Sequence, residues 1–410
     1  MLKKPLLTLL QIPEEKYSNY RYEVIFRAYK WDPQVKDSNT VSRHALLITP
    51  QTAQELSFLA EKLSLEVMDM EEALLTKLDL HRAMGFSGKI KRPLRSMESY
   101  RRGKNIRLMR FDFHPTDEGW RISEVNSDVP GGLAEASILP KVAGELFKNV
   151  EAGENVAEHL LKSFKDKLKR GSRIAFIHAT SYADDRQVMQ FLGDYFNQNG
   201  YRTLFAAPDH IQWQGKKAYS IIEGEEGAID GLVRFFPLEW MTDLPHDSNW
   251  QGYFDCDLPC CSHPAAILTQ SKRLPLVWDE LNLDIPYWKE LLPETKEPKA
   301  IPKGQENWIY KPAFGRVGSG ISIKGAITEK ERIKIEKAAR RQKRLWVAQH
   351  MFNSIPVKAP DGKQFHACLG VFTVDGKAAG FYARLSETAR IDENAQDVPV
   401  LISKGVTDVR

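Results

Sequence analysis

A chain of 410 residues has room for two or three domains with cores of their own. Its 42% apolar and 27% charged content is that of a globular protein and excludes a disordered one. A net charge of +4 is small for this length, and no basic run marks a nucleic-acid arm. No apolar stretch is long enough to span a bilayer, and four cysteines are too few for a disulfide scaffold, so a cytoplasmic protein is expected.

The chain opens MLKKPLLTLLQIPEEK, where Pro5 and Pro13 break a short apolar stretch and no small-residue cleavage site follows. It is not read as a secretion signal. From Gln51 to Asp79, Leu, Glu, Ala and Met recur with few breakers, which predicts one or two amphipathic helices.

The next segment, NIRLMRFDFHPTDEGWRISEVNSDVP, alternates up to Phe113, turns over His114 to Gly119 and alternates again from Trp120. That is the pattern of a β-hairpin. Alternation puts Arg110 and Asp112 on one face, and Glu124 and Asn126 on one face. An even register sets Arg110 opposite Glu124, with Asp112 on the diagonal. Two carboxylates and an amide oxygen are hard donors that suit Mg²⁺ better than zinc, and the neighbouring arginine suits a phosphate bridging to that ion. A surface hairpin with a cross-strand Arg–Glu pair would give the same pattern. Gly131 and Gly132 then break the chain, and Leu133 to Phe147 reads as helix apart from Pro140.

Arg173 to His178 reads as a strand, Asp184 to Asn199 as a helix ended by Gly200, and Tyr201 to Ala206 as the next strand. This is a strand–helix–strand unit of a parallel sheet. Its first loop leaves the strand at the carboxyl end, where α/β sheets bind ligands. Asp184 and Asp185 in that loop either hold a substrate amine or form the cap and first turn of the helix. The unit lacks G-x-G-x-x-G, which argues against a dinucleotide site. Asp243 to Pro264 is turn-rich and reads as a linker or a loop over the site. Its Cys256, Cys260, Cys261 and His263 match no familiar zinc spacing.

Trp308 to Ile323, WIYKPAFGRVGSGISI, places a glycine-rich loop between two strand-like runs. A Walker loop would end in Gly-Lys-Ser/Thr and open a helix, and this one does neither. Its glycines let backbone N–H groups form an anion nest, with Lys311 as the point charge a triphosphate needs and Arg316 and Ser319 as further donors. The alternative is a hairpin loop whose glycines serve only the turn. Lys337 to Arg344 reads as the solvated face and end of a helix, and Leu345 to Gln349 as a short strand. The strand from Gly380 leads Arg384 either to a reacting phosphate or to a surface ion pair.

Together these stretches resemble the glutathionylspermidine synthase family of ATP-grasp ligases, in order from about Arg110 to the C-terminus. The hairpin matches the family's R-x-D … E-x-N element. Phe235 to Trp240 (FFPLEW) matches a family landmark, and His263-Pro264 … Ser271-Lys272 is similar to its Asn-Pro … Asn-Lys segment. Tyr310-Lys311-Pro312 … Gly315-Arg316-x-Gly318 and Ala383-Arg384-Leu385-Ser386-Glu387-Thr388 match its C-terminal signatures. Each match alone is weak, while their shared order and similar gaps are specific.

The resemblance implies a mixed α/β chain with an ATP-grasp fold, in the circular order that puts magnesium ligands before nucleotide lysines. A smaller α/β pre-ATP-grasp-like domain would be inserted, with divisions at 1–165, 166–245 and 246–410. Carried over position by position, Asp112, Glu124 and Asn126 would bind Mg²⁺. Lys272 and Lys311 would hold the ATP phosphates under a loop of Gly315, Arg316, Gly318, Ser319 and Gly320, and Gln349 would lie on the adenine hinge strand. Arg110 and Arg384 would hold the transferring phosphoryl group and the carboxylate it meets.

The implied reaction makes an acyl phosphate from ATP and a small acid or peptide, and then an amide by attack of an amine. An acidic pocket would suit a polyamine as that amine. The family's hydrolytic amidase half has no counterpart, so no hydrolase activity is expected. Val129, Pro130, Gly131 and Gly132 replace the small hydroxyl residues of glutathione-using members, and Trp240 replaces a small polar residue. Asp184 and Asp185 fall where those members carry an acidic pair. Ligation is therefore expected more firmly than glutathione as substrate. Two further readings are a non-catalytic nucleotide-binding protein on the same fold and a kinase that stops at phosphoryl transfer.

Overall fold

The computed structural model describes residues 6–35, 38–95, 97, 100–315, 318 and 320–405. Long-range pairing builds its body. The hairpin Leu108–Thr116 and Gly119–Asn126 joins Gln364–Val374 antiparallel, which pairs Lys377–Ser386 and then Gln396–Val398. Met109, Phe111, Phe113, Leu369 and Val371 are buried on one face of this sheet. They pack on a single helix, Pro50–Thr76, where one or two were expected. Leu56, Leu59, Leu63, Val67, Met70 and Leu74 recur along it at helical spacing. Thr49 caps it by accepting from the Thr52 amide at 3.1 Å, and Pro50 fills its first turn.

The hairpin's register departs from the even one expected. Pairs run from Thr116–Gly119 to Phe113–Ile122, then shift so that Asp112 faces Glu124 and Arg110 faces Asn126. Ser123 is the extra residue of a β-bulge. Arg110 thus stands opposite the amide and not opposite Glu124. The core supplies the reason. Trp120 and Ile122 turn inward, and the strand must change face before Val125 can do the same.

The strand–helix–strand unit forms with its helix at Ala183–Gln198. Arg173–Ile177 lies between Arg202–Ala206 and Gly231–Arg234, and Cys260–Cys261 completes a parallel sheet. The turn-rich segment 243–264 is no loop over the site. Trp250, Tyr253 and Phe254 are buried in the main core, Tyr253 donates to the Pro208 carbonyl at 3.0 Å, and the segment's end supplies that edge strand. Aromatic side chains so spaced gain more from burial than from hanging over a cleft.

Trp308–Pro312 pairs Trp346–His350, which pairs Thr295–Lys296, with helix Glu329–Arg341 behind. The expected second strand at Ile321 to Ile323 does not form. Gly318 and Gly320 take left-handed φ values of 64° and 70° and turn the chain, so that only Ser322 reaches Tyr310. A fourth sheet joins Thr8–Gln11, His44–Ile48, Val400–Ser403 and Val150–Ala152. No described helix is long and apolar enough to cross a membrane.

Candidate active site

The face of the large sheet opposite the long helix forms the floor of a cleft of about 970 Å³. Strand alternation decides what stands on it. The register lines up Asn126, Arg110 and Phe372 in one row and Glu124, Asp112, Gly370 and Tyr382 in the next, followed by Cys368, Arg384 and Asp397. The bulge at Ser123 places Glu124 and Asn126 on the same face as Arg110 and Asp112.

Arg110 grips Asp112 through two bonds, Nε to Oδ1 at 2.7 Å and Nη2 to Oδ2 at 2.9 Å, and donates from Nη1 to the Gly131 carbonyl at 2.6 Å. Its guanidinium lies 5.0 Å over the Tyr382 ring. Burial opposes its charge, but Asp112 outweighs burial and holds the proton firmly. Asn126 Nδ2 donates to Asp112 Oδ2 at 3.0 Å. Gly370 leaves the room this needs, because a Cβ there would stand 2.7 Å from Arg110 Cδ.

Glu124 meets Lys272 Nζ at 2.7 Å. Burial pushes the Glu124 carboxyl up, yet Lys272, Lys311 and Arg110 together hold it below the usual range. Lys311 donates to Gln349 Oε1 at 2.7 Å and to the carbonyl of the bulge residue Ser123 at 3.2 Å. Burial pulls its ammonium down to about 8, with Glu124 opposing. Burial and then Lys311 push the His114 imidazole down to about 3, so it stays neutral. Lys272 also donates to the Gly315 carbonyl at 2.7 Å, and Gln349 donates to Thr295 Oγ1 at 3.1 Å.

The cleft is lined by Arg110, Asp112, Glu124, Asn126, Lys311, Gly318 and Arg384 among the residues expected at a site, and by Asp184 and Asp185. Lys272 and Gln349 sit behind its wall, around a smaller cavity shared with Glu124 and Lys311. Gly315 and Gly320 are packed near Pro312 and do not line the cleft. Arg316 and Ser319 lie outside the described residues. Asp184 and Asp185 occupy the first turn of their helix while Tyr182 holds the cap position, so neither is the cap residue. Arg384 donates to the Asp392 and Ala395 carbonyls at 2.6 and 3.1 Å, and its buried Nε has no hydrogen-bond partner.

Sequence reasoning passed over several residues of this cleft. Lys30, on an arm made of residues 29–35 and 38–41, bonds Glu135 at 2.8 Å and Asp397 at 2.7 Å. Tyr382 donates to Asp397 at 2.6 Å. Gly370 carried a signal, since glycine inside an apolar strand marks close backbone approach. Lys30 carried none.

As a magnesium site the donor set fits: two carboxylates and an amide on one face, all hard oxygen ligands. Among the described residues Asp112 Oδ1 accepts a hydrogen bond only from Arg110 Nε, which leaves it a lone pair.

The sequence model of a family described as glutathionylspermidine synthase preATP-grasp matches residues 13–403. A Haemophilus influenzae protein provisionally named acid–amine ligase is 24% identical over 226 residues, covering 52% of this chain and 54% of the relative. The chain thus spans about half the length of the curated relative it matches. Among solved structures, a glutathione synthetase-like effector from Globodera pallida in apo form superposes with a TM-score of 0.59 at 10% identity, over 88% of this chain and 89% of that one. At that identity the likeness speaks for the fold.

Proposed function

Because the chain belongs to the glutathionylspermidine synthase family, we propose that it is an ATP- and Mg²⁺-dependent ligase that joins an acid to an amine through an acyl phosphate. The observation that carries the reading is the sheet face itself. Arg110, Asp112, Glu124 and Asn126 meet there beside Lys311, and Lys272 stands directly behind.

Amide formation from a free acid and an amine is uphill in water, so the carboxylate needs a leaving group. The γ-phosphoryl of ATP supplies it. The carboxylate oxygen attacks phosphorus and ADP departs. The amine then attacks the acyl carbon, and phosphate leaves with the carboxylate oxygen. The protein needs no nucleophile of its own, since alignment and charge neutralisation suffice. Arg384 Nε, buried, free of a hydrogen bond and 3.8 Å from Asp397 Oδ1, would receive the carboxylate or the phosphoryl oxygen, and Arg110 would hold the other. Lys311 and Lys272 would take up phosphate charge, Lys272 by exchanging Glu124 for a phosphate oxygen. Gly318, which lines the cleft, would cover the phosphates with Arg316 and Ser319, and Gln349 would mark the adenine side. Asp112, Glu124 and Asn126 would hold Mg²⁺, which when bound offsets charge on the phosphate oxygens.

Residues 1–165 and 246–410 would provide the nucleotide and metal side in this reading, and 166–245 the substrate side through Asp184 and Asp185. The acid is read as one other than glutathione, because Val129, Gly131, Gly132 and Trp240 all line the cleft.

The test is ADP release with Mg·ATP across panels of acids and amines, glutathione and spermidine included, with mass spectrometry of the products. An amide formed in step with ADP is the expected result. A stable phosphate ester would make the protein a kinase, and tight ATP binding without turnover would make it a non-catalytic binder. Asp112→Ala and Glu124→Ala should each abolish ADP release while circular dichroism stays native. Normal turnover in either would remove that residue from the metal site.

A further inference from the structure

Beside Arg384, whose Nε stands 3.8 Å from Asp397 Oδ1, the cleft holds a cluster around Lys30 to which the reaction above assigns no role. Lys30 Nζ donates to Glu135 Oε1 at 2.8 Å and stands 2.7 Å from Asp397 Oδ2. All three side chains are nearly buried, at 13%, 7% and 6% exposure. Tyr382 donates to the other Asp397 oxygen. Glu135 Oε2 is buried, lacks any hydrogen-bond partner, and belongs to a residue that lines the cleft. A buried carboxylate oxygen without a donor is costly, and its natural complement is an N–H⁺ group.

The lysine arrives on an arm fixed at both ends. Tyr29 donates to Asp194 at 2.7 Å and the Trp31 amide to Gln187 at 3.1 Å, both on helix Ala183–Gln198. Beyond Lys30 the backbone pairs with the sheet edge, Asp397 N to Thr40 O at 2.7 Å and Ser42 N to Asp397 O at 2.9 Å. So anchored, the arm carries its ammonium into the cleft from outside the sheet.

We propose that Lys30 is the specificity determinant for the amine substrate. Its ammonium fills the seat that Glu135 and Asp397 would give to a substrate ammonium, so the acceptor brings its reacting nitrogen without a second cationic centre. This rests on the ligase reading. A polycationic amine entering here would find Glu135 and Asp397 already engaged by Lys30, with that ammonium left in its path. A monoamine or an amino acid meets no such conflict.

The proposal is tested by thermal melting of the full chain, wild type and Lys30→Met, against methylammonium, putrescine and spermidine at matched ionic strength. Lys30→Met keeps much of the side-chain stem and removes the charge. The wild type is expected to melt as in the salt control with putrescine and spermidine. The variant should be stabilised by methylammonium and putrescine, with half-saturation at a concentration about tenfold or more lower than any wild-type response. Stabilisation of the wild type by spermidine equal to that of the variant would overturn the proposal. So would a variant that is folded by circular dichroism and unresponsive to every amine. Should the variant not fold, the wild type decides alone, since stabilisation by spermidine above the salt control refutes the proposal and its absence supports it. These melts are independent of turnover. Failure of the ligase reading would show instead as no ADP release with any pair.

Discussion

At the scale of single residues, the cleft depends on side chains held where their charge is expensive. Burial brings Lys311 down from 10.5 to about 8, with Glu124 opposing. Below about 8 the lysine is charged in folded and unfolded chains alike. Between about 8 and 10.5 only the unfolded chain keeps the proton, so folding stability rises with pH across that window. Over the same window the folded protein would lose the cation proposed to hold a phosphate. Affinity for ATP should therefore weaken as pH rises through about 8, an effect that isothermal titration across pH would register and Lys311→Arg would flatten. Gly370 makes a second prediction. A methyl group there would stand 2.7 Å from an Arg110 side chain already fixed by Asp112 and Gly131. Gly370→Ala should lower kcat by about a hundredfold while the melting curve moves little, because misplacement by about 1 Å is enough to do so. Asp112, Glu124 and Asn126 were legible because one short hairpin contains them all. Gly370, Tyr382 and Asp397 join them only through the register of distant strands, which spacing along the chain does not encode.

Elements show the same division. The strand–helix–strand unit formed where its pattern placed it, and so did the hairpin, except that His114 to Thr116, read as turn, extend the first strand. The bulge was missed, although the sequence carries its signal. Trp120, Ile122 and Val125 are the inward residues, and the step from 122 to 125 breaks a period of two. What ties the hairpin to the long helix is a buried pair. Arg107 Nη2 meets Glu71 Oε2 at 2.9 Å and Nε donates to the same oxygen at 3.1 Å, while Nη1 reaches the Ser127 and Leu108 carbonyls, so one guanidinium secures both ends of the hairpin. Glu71→Ala would leave that cation buried and uncompensated. It should cost roughly 3–5 kcal/mol, read as a lowered urea midpoint at an unchanged slope.

For the whole molecule, the family and the α/β ATP-grasp fold are those the motifs implied, whereas the arm bearing Lys30 has no pattern that announces it. If the cleft takes Mg·ATP, the nucleotide should stabilise the entire chain by mass action, by about 2.7 kcal/mol at a hundredfold excess over Kd. Calorimetric melts of wild type and Asp112→Ala check this, and the variant should lose the Mg²⁺-dependent part of the shift. The way the large sheet is assembled has a consequence in time. Phe111 and Phe113 emerge from the ribosome well before Val371 and Leu369, the residues they pair with across a long stretch of chain. Until then the apolar side of the hairpin has no strand beside it, and the floor on which the cleft's chemistry would take place does not exist. Such distant pairing makes for slow folding and prolonged exposure of a sticky edge. The nascent chain therefore stays blind to nucleotide, and open to aggregation or chaperone capture, until its closing strands arrive.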